Sequence, residues 1–510
     1  MPEQKPMDIR EIMADYDKAV KFFHETPAEV WEMLGQKTAL SVFKETSETI
    51  TAYKNFLKEH HFSGNVTSME EFADVPEMDK YKYIQKYGFN EVNSVKAGNN
   101  LYSFSLSSGT TDEPTVWPRY YQYEEFLPLV FDMFMRQYWQ IDKKSTLFIN
   151  AFALGPWIAG FTVHQAVRPL TQKHKFTLAT TGADIDSIVY SIQKMSRFYD
   201  QVIIWSYPTF ARTIIDHLEN AKVNLRKLNL KMFIAGEGHT VEWRRYINKM
   251  ISGKKEDITS IIDGYGVSEA GLLALGSAMT NLVRDLAHKD EALCKELFGK
   301  PDCVPALFQY NPASYFVEKL DKEVAITTKS TSPLIKYNLH DRGGVIKFRQ
   351  MEEILKKHGY DYKKLIKKAG LPEDIVSQQP FVYCFGRRDD TVIIGGANIF
   401  PEQIAPALFN EKINDIHSFK LSTSHDAKQH QLFYVLLELR EGLSYDETQL
   451  KKLIKKYHDI ILKHLKQANM DFKDAYRIDP KVADPKVDIS RFGTGPFRDD
   501  SKRTKPKLVI

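Results

Sequence analysis

Small hydroxyl residues surround a single glycine in the segment from Ser107 to Thr115, which reads SSGTTDEPT. The segment follows YSFSL, a run typical of a β-strand. Backbone N–H groups and hydroxyls around a glycine can converge on an anion, so this turn could bind a phosphate group. A solvent-exposed turn rich in Ser and Thr has the same composition, and the segment alone leaves both interpretations open.

Further segments follow in an order that favours phosphate binding. The segment 107–115 resembles the phosphate loop of the adenylate-forming enzymes, usually written SSGTTGKPT. Residues 264–269 (GYGVSE) resemble the YGxTE motif of that superfamily, and residues 337–341 (YNLHD) match the place of its ribose-binding aspartate. Residues 386–390 (GRRDD) and 395–401 (GGANIFP) resemble its hinge motif GRxDD…GxNxxP. By this ordered agreement the chain is identified as a member of the adenylate-forming superfamily.

Other segments narrow the resemblance to one subfamily. Residues 206–210 (SYPTF) and 235–238 (AGEG) resemble the TPSYA and GAEPW segments of phenylacetate-CoA ligases. Residues 333–337 (PLIKY) resemble the PxIRY segment of the same enzymes. The resemblance runs from about residue 74 to the last residues of the chain.

The resemblance implies a role for each matching residue. Tyr265 would stack near the adenine, Glu269 would help to hold Mg²⁺, and Asp341 would accept hydrogen bonds from both ribose hydroxyls. The implied nucleotide-binding set is Ser107, Ser108, Gly109, Thr110, Thr111, Gly236, Glu237, Tyr265, Gly266, Ser268, Asp341 and Arg387. Thr110 would act in catalysis with Glu269, and Asp389 would be the hinge. The channel for the thiol would be lined by Gly395, Gly396 and Asn398.

The carboxy-terminal tail carries the catalytic lysine that the resemblance implies. In the family this lysine reaches the carboxylate and the α-phosphate, on a segment resembling GxLPRxxGKAKRV. Here the tail from Gly493 reads GTGPFRDDSKRTKPKLV. Counting back from the terminal Leu-Val selects Lys505, which we assign, while counting forward from Gly493 selects Lys502. Lys502 and Lys507 stay open, as does a basic tail without a catalytic role.

The chain departs from the family pattern in its phosphate loop. Asp112 and Glu113 replace the usual Gly-Lys, so a cation is missing and two like charges face a triphosphate. Nucleotide binding should weaken unless these side chains turn outward or contact Mg²⁺. The segments 270–305 and 349–380 also have no obvious match in phenylacetate-CoA ligases, which leaves the acid and the acceptor open.

The family builds its acid pocket beside residues 153–160 and after Glu269. The corresponding segments here, FALGPWIAGF and AGLLAL, are apolar. We therefore place Phe152, Trp157 and Ala270 in the pocket, where the two aromatic rings could line a flat slot. An aromatic or other apolar acid is the expected substrate.

Composition excludes several other classes of protein. The 510 residues are 43% hydrophobic and 27% charged, typical of a globular chain with two to four domains or subdomains. A net charge of +4 does not indicate a nucleic-acid partner. Three cysteines fit neither a disulfide framework nor a four-cysteine zinc site. Since no apolar stretch has the length of a signal peptide or a membrane span, we expect a cytoplasmic protein; a homodimer stays open.

The order of elements predicts how these residues are positioned. Residues 1–90 show helical spacing of apolar positions and predict a helical lead-in. From residue 101 onwards, strand-like runs alternate with amphipathic helices, a pattern that indicates mostly parallel sheet. These runs are TLFINAFAL, KFTLAT, QVIIWS, LKMFIAG and ITSIIDGYG. A charged helical insertion is predicted at 351–374, and a long helix at 445–467.

We predict an α/β fold with a large multi-subdomain amino-terminal domain, residues 1–388, and a small mobile α+β carboxy-terminal domain, residues 389–510. The implied activity joins a carboxylic acid to a thiol through an acyl-adenylate, with ATP, Mg²⁺ and CoA as cofactors and pyrophosphate and AMP as products. Loading of a carrier protein is one alternative. A nucleotide-binding regulator without turnover is another, suggested by Asp112, Glu113 and the ambiguous lysine.

Overall fold

The amino-terminal part of the chain is helical, as predicted. The structure is a computed structural model that describes residues 12, 15–95, 98–99, 101–107, 115–155, 157–301, 303–387, 391–408, 415–498 and 509. Its first helices are α1 (Tyr16–Glu25), α2 (Ala28–Thr49), α3 (Thr51–Glu59), α4 (Met69–Ala73) and α5 (Phe89–Val92), with a π-helical turn at Lys80–Ile84. Phe43 of α2 and Phe56 of α3 share an apolar core with Tyr337. The lead-in therefore supports the segment that carries Asp341.

Strands and helices alternate between residues 101 and 275. The elements are β1 (Leu101–Ser107), β2 (Thr115–Tyr120), α6 (Leu127–Trp139), β3 (Thr146–Asn150), α7 (Ile158–Val167), α8 (Leu170–Lys173), β4 (Phe176–Ala179), α9 (Ile185–Met195), β5 (Gln201–Ser206), α10 (Pro208–Asn220), β6 (Lys231–Ala235), α11 (Val241–Ser252), β7 (Ile261–Val267) and β8 (Gly271–Leu275). The five strand-like runs of the sequence correspond to β3, β4, β5, β6 and β7. β1 and β2 form a separate antiparallel pair in which Ser107 lies opposite Thr115.

The next segment contains the predicted helical insertion. Its elements are α12 (Ala278–Lys289), α13 (Glu291–Phe298), β9 (Ala306–Tyr310), β10 (Tyr315–Leu320), β11 (Glu323–Thr328), β12 (Leu334–Ile346), α14 (Phe348–Lys357), α15 (Tyr362–Lys368) and β13 (Phe381–Arg387). α14 and α15 confirm helices in the region 351–374. Their apolar residues pack with those of α12 and α13 in one core, so the two unmatched segments 270–305 and 349–380 form a joint helical layer.

One 11-stranded sheet runs through most of the molecule, in the order β10-β11-β12-β13-β9-β8-β7-β6-β5-β3-β4. Pairing is parallel from β4 through β3, β5 and β6 to β7. The expectation of mostly parallel pairing is wrong for the other half, where every junction from β7 to β10 is antiparallel. The physical reason is that turns as short as Asp321–Lys322 join several of these strands, and a short turn reverses the chain.

The carboxy-terminal elements have a core of their own. They are β14 (Val392–Ile394), β15 (Ala397–Ile399), α16 (Ala405–Leu408), β16 (Ile416–His425), β17 (Gln431–Leu439), α17 (Glu447–Ala468), α18 (Met470–Ile478), α19 (Pro480–Ala483) and β18 (Lys486–Ser490). α17 confirms the long helix and buries Tyr457, Ile461 and Leu465 against β16 and β17. We refer to residues 391–498 as the carboxy-terminal unit.

The predicted α/β class, a large domain with a sheet and a small α+β unit, is confirmed. A domain boundary at residue 388 stays a prediction. Among the residues that the structure describes, no helix combines the length and the apolar character needed to cross a bilayer.

Candidate active site

Two residues assigned to nucleotide binding meet at the centre of the large sheet. The hydroxyl of Tyr265, in β7, donates a hydrogen bond to the carboxylate of Asp341, in β12. The Tyr265 ring also stacks on Phe308 of β9, with ring centroids 5.4 Å apart and planes at 26°. In the ladder between β12 and β13, Asp341 lies opposite the backbone of Arg387. The structure thus brings the proposed adenine and ribose contacts together, although they are separated by 76 positions.

The turn between β7 and β8 carries Ser268 and Glu269. Tyr337 points its hydroxyl at Glu269 Oε1, 3.4 Å away. The carbonyl of Ser268 accepts a hydrogen bond from the guanidinium of Arg119, a buried residue of β2. Arg119 also donates to Ser105 Oγ at 3.0 Å, so it joins the β1–β2 pair to the turn that holds Glu269.

Sequence reasoning missed Arg119 because nothing in its local pattern distinguishes it from a surface arginine in a strand. Burial lowers the pKa of Arg119, and the carboxylate of Glu124, with its Oε1 3.5 Å from Arg119 Nη1, opposes that shift. Arginine remains charged under such conditions. The arrangement therefore places a fixed positive charge behind Glu269.

Lys80 supplies a second cation that the sequence did not reveal. Its ammonium donates to Oγ of Ser107, the last residue of β1, at 3.3 Å. Ser107 is buried, and it is the first residue of the predicted phosphate loop. The loop lacks the lysine of the family pattern, and Lys80 places an ammonium at its beginning. No spacing rule links residue 80 with residue 107, so only the folded chain shows this contact.

Glu269 is the residue to which the sequence assigns magnesium binding. The described part of the chain contains no cluster of three or more His, Cys, Asp or Glu side chains able to hold a metal ion. Magnesium is commonly held by one or two carboxylates together with the phosphates of the substrate. The described residues offer one such carboxylate, Glu269, in the turn that Arg119 joins to the strand before the predicted phosphate loop.

A buried ion pair holds β7 near its amino-terminal end. Asp263, two residues before Tyr265, accepts a hydrogen bond from Arg284 at 2.8 Å and lies 2.8 Å from His239 Nε2. Burial by itself would raise the pKa of Asp263, but His239 and Arg284 outweigh it and lower that pKa to about 2. The carboxylate is ionised near neutral pH and anchors the strand at its buried end.

Glu237, assigned to the nucleotide together with Gly236, contacts the carboxy-terminal unit. The carboxylate of Glu237 accepts hydrogen bonds from the backbone N–H of Gly396 and from Thr209 Oγ1, the latter at 3.1 Å. Burial raises the pKa of Glu237 to about 7. The ring of Tyr207 lies between two glycines, since a Cβ on Gly236 would come within 2.7 Å of it and one on Gly396 within 3.2 Å. Both glycines also have positive φ. The closeness of the Tyr207 ring and the backbone conformation therefore both favour glycine at these two positions.

The residues assigned to the acid pocket lie in two places. Phe152 is buried and meets Tyr207 edge to face, with centroids 5.0 Å apart. Trp157 precedes α7, and its indole N–H donates to Asp474 Oδ2 in α18 at 2.9 Å. Ala270 follows Glu269, packs with a different apolar cluster, and its carbonyl accepts from the Tyr315 hydroxyl at 3.0 Å. A shared pocket for all three stays a prediction.

Several assigned residues fall outside the described residues. They are Ser108, Gly109, Thr110, Thr111, Asp389 and Lys505. The turn between β14 and β15 contains Gly395 and Gly396, and Asn398 in β15 accepts a hydrogen bond at its carbonyl from Asn469 Nδ2 at 2.8 Å. The predicted thiol channel therefore borders Tyr207 and Glu237 of the amino-terminal part.

Comparison with known proteins identifies the fold of the chain. No protein-family model matches the chain, and no curated protein matches it at a significant level. The structure is similar to 2-hydroxyisobutyryl-CoA ligase in complex with 2-HIB-AMP and CoA in the thioesterification state, with a TM-score of 0.62 and 14% sequence identity, over 96% of this chain and 91% of that chain.

Two other states of the same ligase match less well. The postadenylation state with 2-HIB-AMP has a TM-score of 0.51 and 15% identity, over 95% of this chain and 90% of that chain. An open conformation with 2-HIB-AMP and CoA also has a TM-score of 0.51 and 15% identity, over 93% of this chain and 90% of that chain. At these identities the likeness establishes the fold, and the chain has the fold of the adenylate-forming enzymes. The predicted fold is confirmed at this level, while membership of the superfamily and of the phenylacetate-CoA ligase-like subfamily stays a prediction.

Proposed function

We propose that this protein activates a carboxylic acid with ATP and transfers the acyl group to a thiol. In the first step a carboxylate oxygen attacks the α-phosphorus of ATP, and the bond to pyrophosphate breaks. In the second step the thiol sulfur attacks the acyl carbon, AMP leaves, and the thiol proton passes to solvent. The hydrogen bond between Tyr265 and Asp341 is the observation that carries this proposal, because it joins the adenine and ribose contacts within an adenylate-forming fold.

The residues of the site would act by position and charge. Asp341 would hold the ribose hydroxyls and Tyr265 would face the adenine, while segment 107–111 would bind the phosphates. Glu269 would hold Mg²⁺, which neutralises phosphate charge when bound. Lys505 would add a positive charge where the carboxylate and the α-phosphate meet. Preorganised charges of this kind lower the barrier because they need no reorganisation during the reaction.

We infer an apolar or aromatic acid as substrate and CoA as the acceptor. Phe152 and Trp157 would contribute aromatic side chains to the acid pocket, and the half-buried Gly395 and Gly396 would line the proposed thiol channel. A carrier protein could receive the same acyl group through the same channel. The higher TM-score against the thioesterification state supports the further proposal that the described arrangement is the one used for acyl transfer.

The test is a pyrophosphate-release screen over a panel of carboxylic acids, with and without CoA. Glu269→Gln should lower release by about 100-fold or more, because the amide keeps the shape but loses the charge that holds Mg²⁺. Glu353→Gln, on the exposed face of α14, is the matched control and should behave like the wild type. Release by Glu269→Gln within a few-fold of the wild type would reject the assignment.

The tail lysines are tested in the same assay. Lys505→Ala should reduce adenylation by about 100-fold, while thioester formation from supplied acyl-adenylate changes much less. Lys502→Ala and Lys507→Ala change the charge of the tail equally and serve as controls. A selective loss in Lys502→Ala would move the assignment to that residue. Mild and equal effects in all three variants, with ATP bound but no turnover, would favour the regulator.

A further inference from the structure

Trp157 is held by a residue from a distant part of the sequence. Its indole N–H donates to Oδ2 of Asp474, 317 positions later, at 2.9 Å. An indole has one donor and no acceptor, so this bond uses its whole capacity for hydrogen bonding. The ring that the resemblance places in the acid pocket is therefore fixed by the carboxy-terminal unit.

Asp474 lies on a helix that is packed into the core of the carboxy-terminal unit. It lies on α18, where Phe472 and Ala475 are buried in the core of the carboxy-terminal unit. Ala475 also packs beside Gly395, since a Cβ added to that glycine would lie 3.2 Å from Ala475 Cβ. The helix that holds Trp157 is thus packed against the turn of the proposed thiol channel.

The same unit contacts the amino-terminal part at several other points on α10. Arg212 Nε donates to the carbonyl of Lys428 at 2.7 Å, and Thr213 donates to the carboxylate of Asp479. Asp216 accepts from the ring of His430. All of these bonds join a residue before position 388 to one after position 391. A rotation of the carboxy-terminal unit would break the bond between Trp157 and Asp474 together with them.

We propose that Asp474 is a positioning residue for the acid pocket. It completes the pocket by fixing Trp157, and it does so only while the carboxy-terminal unit is docked as described. The pocket then changes shape between the two half-reactions. Trp157 is free of Asp474 when the acid binds and reacts with ATP, and it is held in place when the thiol attacks. This inference rests on the proposed function, which supplies the two half-reactions.

The first experiment tests the contact without any substrate. The fluorescence of Trp157 is isolated as the difference between each protein and its Trp157→Phe counterpart. Asp474→Ala should shift this difference emission, while Asp474→Asn should preserve it because the amide oxygen still accepts from the indole. Lys473→Ala, exposed on the same helix, is the matched control and should match the wild type. A difference emission unchanged in Asp474→Ala overturns the proposal.

The second experiment separates the half-reactions, with an acid found in the pyrophosphate screen. Asp474→Ala should leave adenylation within a few-fold of the wild type and lower thioester formation from supplied acyl-adenylate by about tenfold or more, since misplacing a pocket wall costs rate. Asp474→Asn should restore the rate of thioester formation. Equal losses in both half-reactions overturn the proposal. A wild-type protein that releases no pyrophosphate with any acid rejects the proposed function, and the fluorescence comparison then decides on the contact by itself.

Discussion

Two ionisable side chains, Lys80 and Glu237, make contacts at residues that the motifs assign to the site. Lys80 places an ammonium on Ser107, where the family pattern would have a lysine further along the loop. Glu237 places a carboxyl group between Thr209 and the backbone of Gly396. Each contact depends on a single side chain, so each can be tested by one substitution.

Lys80→Ala should weaken ATP binding by about tenfold or more, because a charged donor beside the phosphates is worth roughly 1.5–3 kcal/mol. Calorimetric titration with ATP measures the change directly. Lys82→Ala is the control, since Lys82 lies in the same turn but is exposed and pairs with Asp79 at 3.4 Å. Equal ATP affinities in the two variants would contradict a role for Lys80 at the phosphates.

Glu237→Gln should change how stability depends on pH. Burial raises the pKa of Glu237 to about 7 from its ordinary value of 4.5, so the folded protein retains a proton that the unfolded chain releases. The stability that this carboxyl contributes is fully present below pH 4.5 and is lost as the pH rises through 7. Glutamine cannot ionise, so the variant should gain about 2 kcal/mol relative to the wild type between pH 5 and pH 8.

Thermal melting of both proteins across that pH range is the measurement. Glu219→Gln, exposed on α10, is the control and should follow the wild type. Parallel curves for the wild type and Glu237→Gln would show that Glu237 titrates as an ordinary surface carboxyl.

At the scale of elements, Arg119 links two parts of the fold that do not share a sheet. β1 and β2 form their own pair, whereas β7 and β8 belong to the large sheet. Arg119 donates to Ser105 within the pair and to the carbonyl of Ser268 in the β7–β8 turn. This side chain holds the strand before the predicted phosphate loop and the turn with Glu269 in one geometry.

Arg119→Met should destabilise the fold by about 3 kcal/mol, because it removes the cation from a buried ion pair and leaves the carboxylate of Glu124 without that cation. Arg119→Lys should cost less, since it keeps the charge but not the planar fork that reaches two acceptors. Urea unfolding provides the free energies. Arg491→Met, fully on the surface, should stay within about 0.5 kcal/mol of the wild type. A loss of that small size in Arg119→Met would mean that the link is not structural.

At the scale of the whole molecule, the carboxy-terminal unit is docked on the amino-terminal part through α10, Glu237 and Trp157. The hydrogen bonds involved are polar contacts of side chains and of a turn, and Ile478 of α18 also packs against the core of the amino-terminal part. The two parts also have separate apolar cores. Polar contacts between separate cores can be exchanged for water at low cost, which suits an interface that opens and closes.

Asp389→Pro should separate the half-reactions, because proline fixes φ at the predicted hinge and holds the carboxy-terminal unit in one arrangement. Thioester formation should fall by about 100-fold while adenylation stays within a few-fold of the wild type. Asp389→Ala, which removes the same side chain without fixing φ, is the control. If both variants lose both half-reactions equally, residue 389 is not the hinge.

The sequence by itself determined the local elements and predicted the class of chemistry. Strand runs such as QVIIWS and the long helix from residue 447 appear where their patterns predict them, because side-chain periodicity depends on near neighbours along the chain. Motif order pointed to Tyr265, Glu269 and Asp341 as the proposed nucleotide contacts, because the family places its motifs in this order along the chain. These inferences needed only types and spacing.

Tertiary structure alone decided the pairing of half the sheet and the long-range contacts of the site. Antiparallel pairing from β7 to β10 depends on turns whose direction no single strand reveals. Lys80, Arg119 and Asp474 reach partners that lie 27, 149 and 317 positions away. A side chain's local sequence carries no information about such partners, because their positions follow from the packing of whole elements rather than from periodicity along the chain.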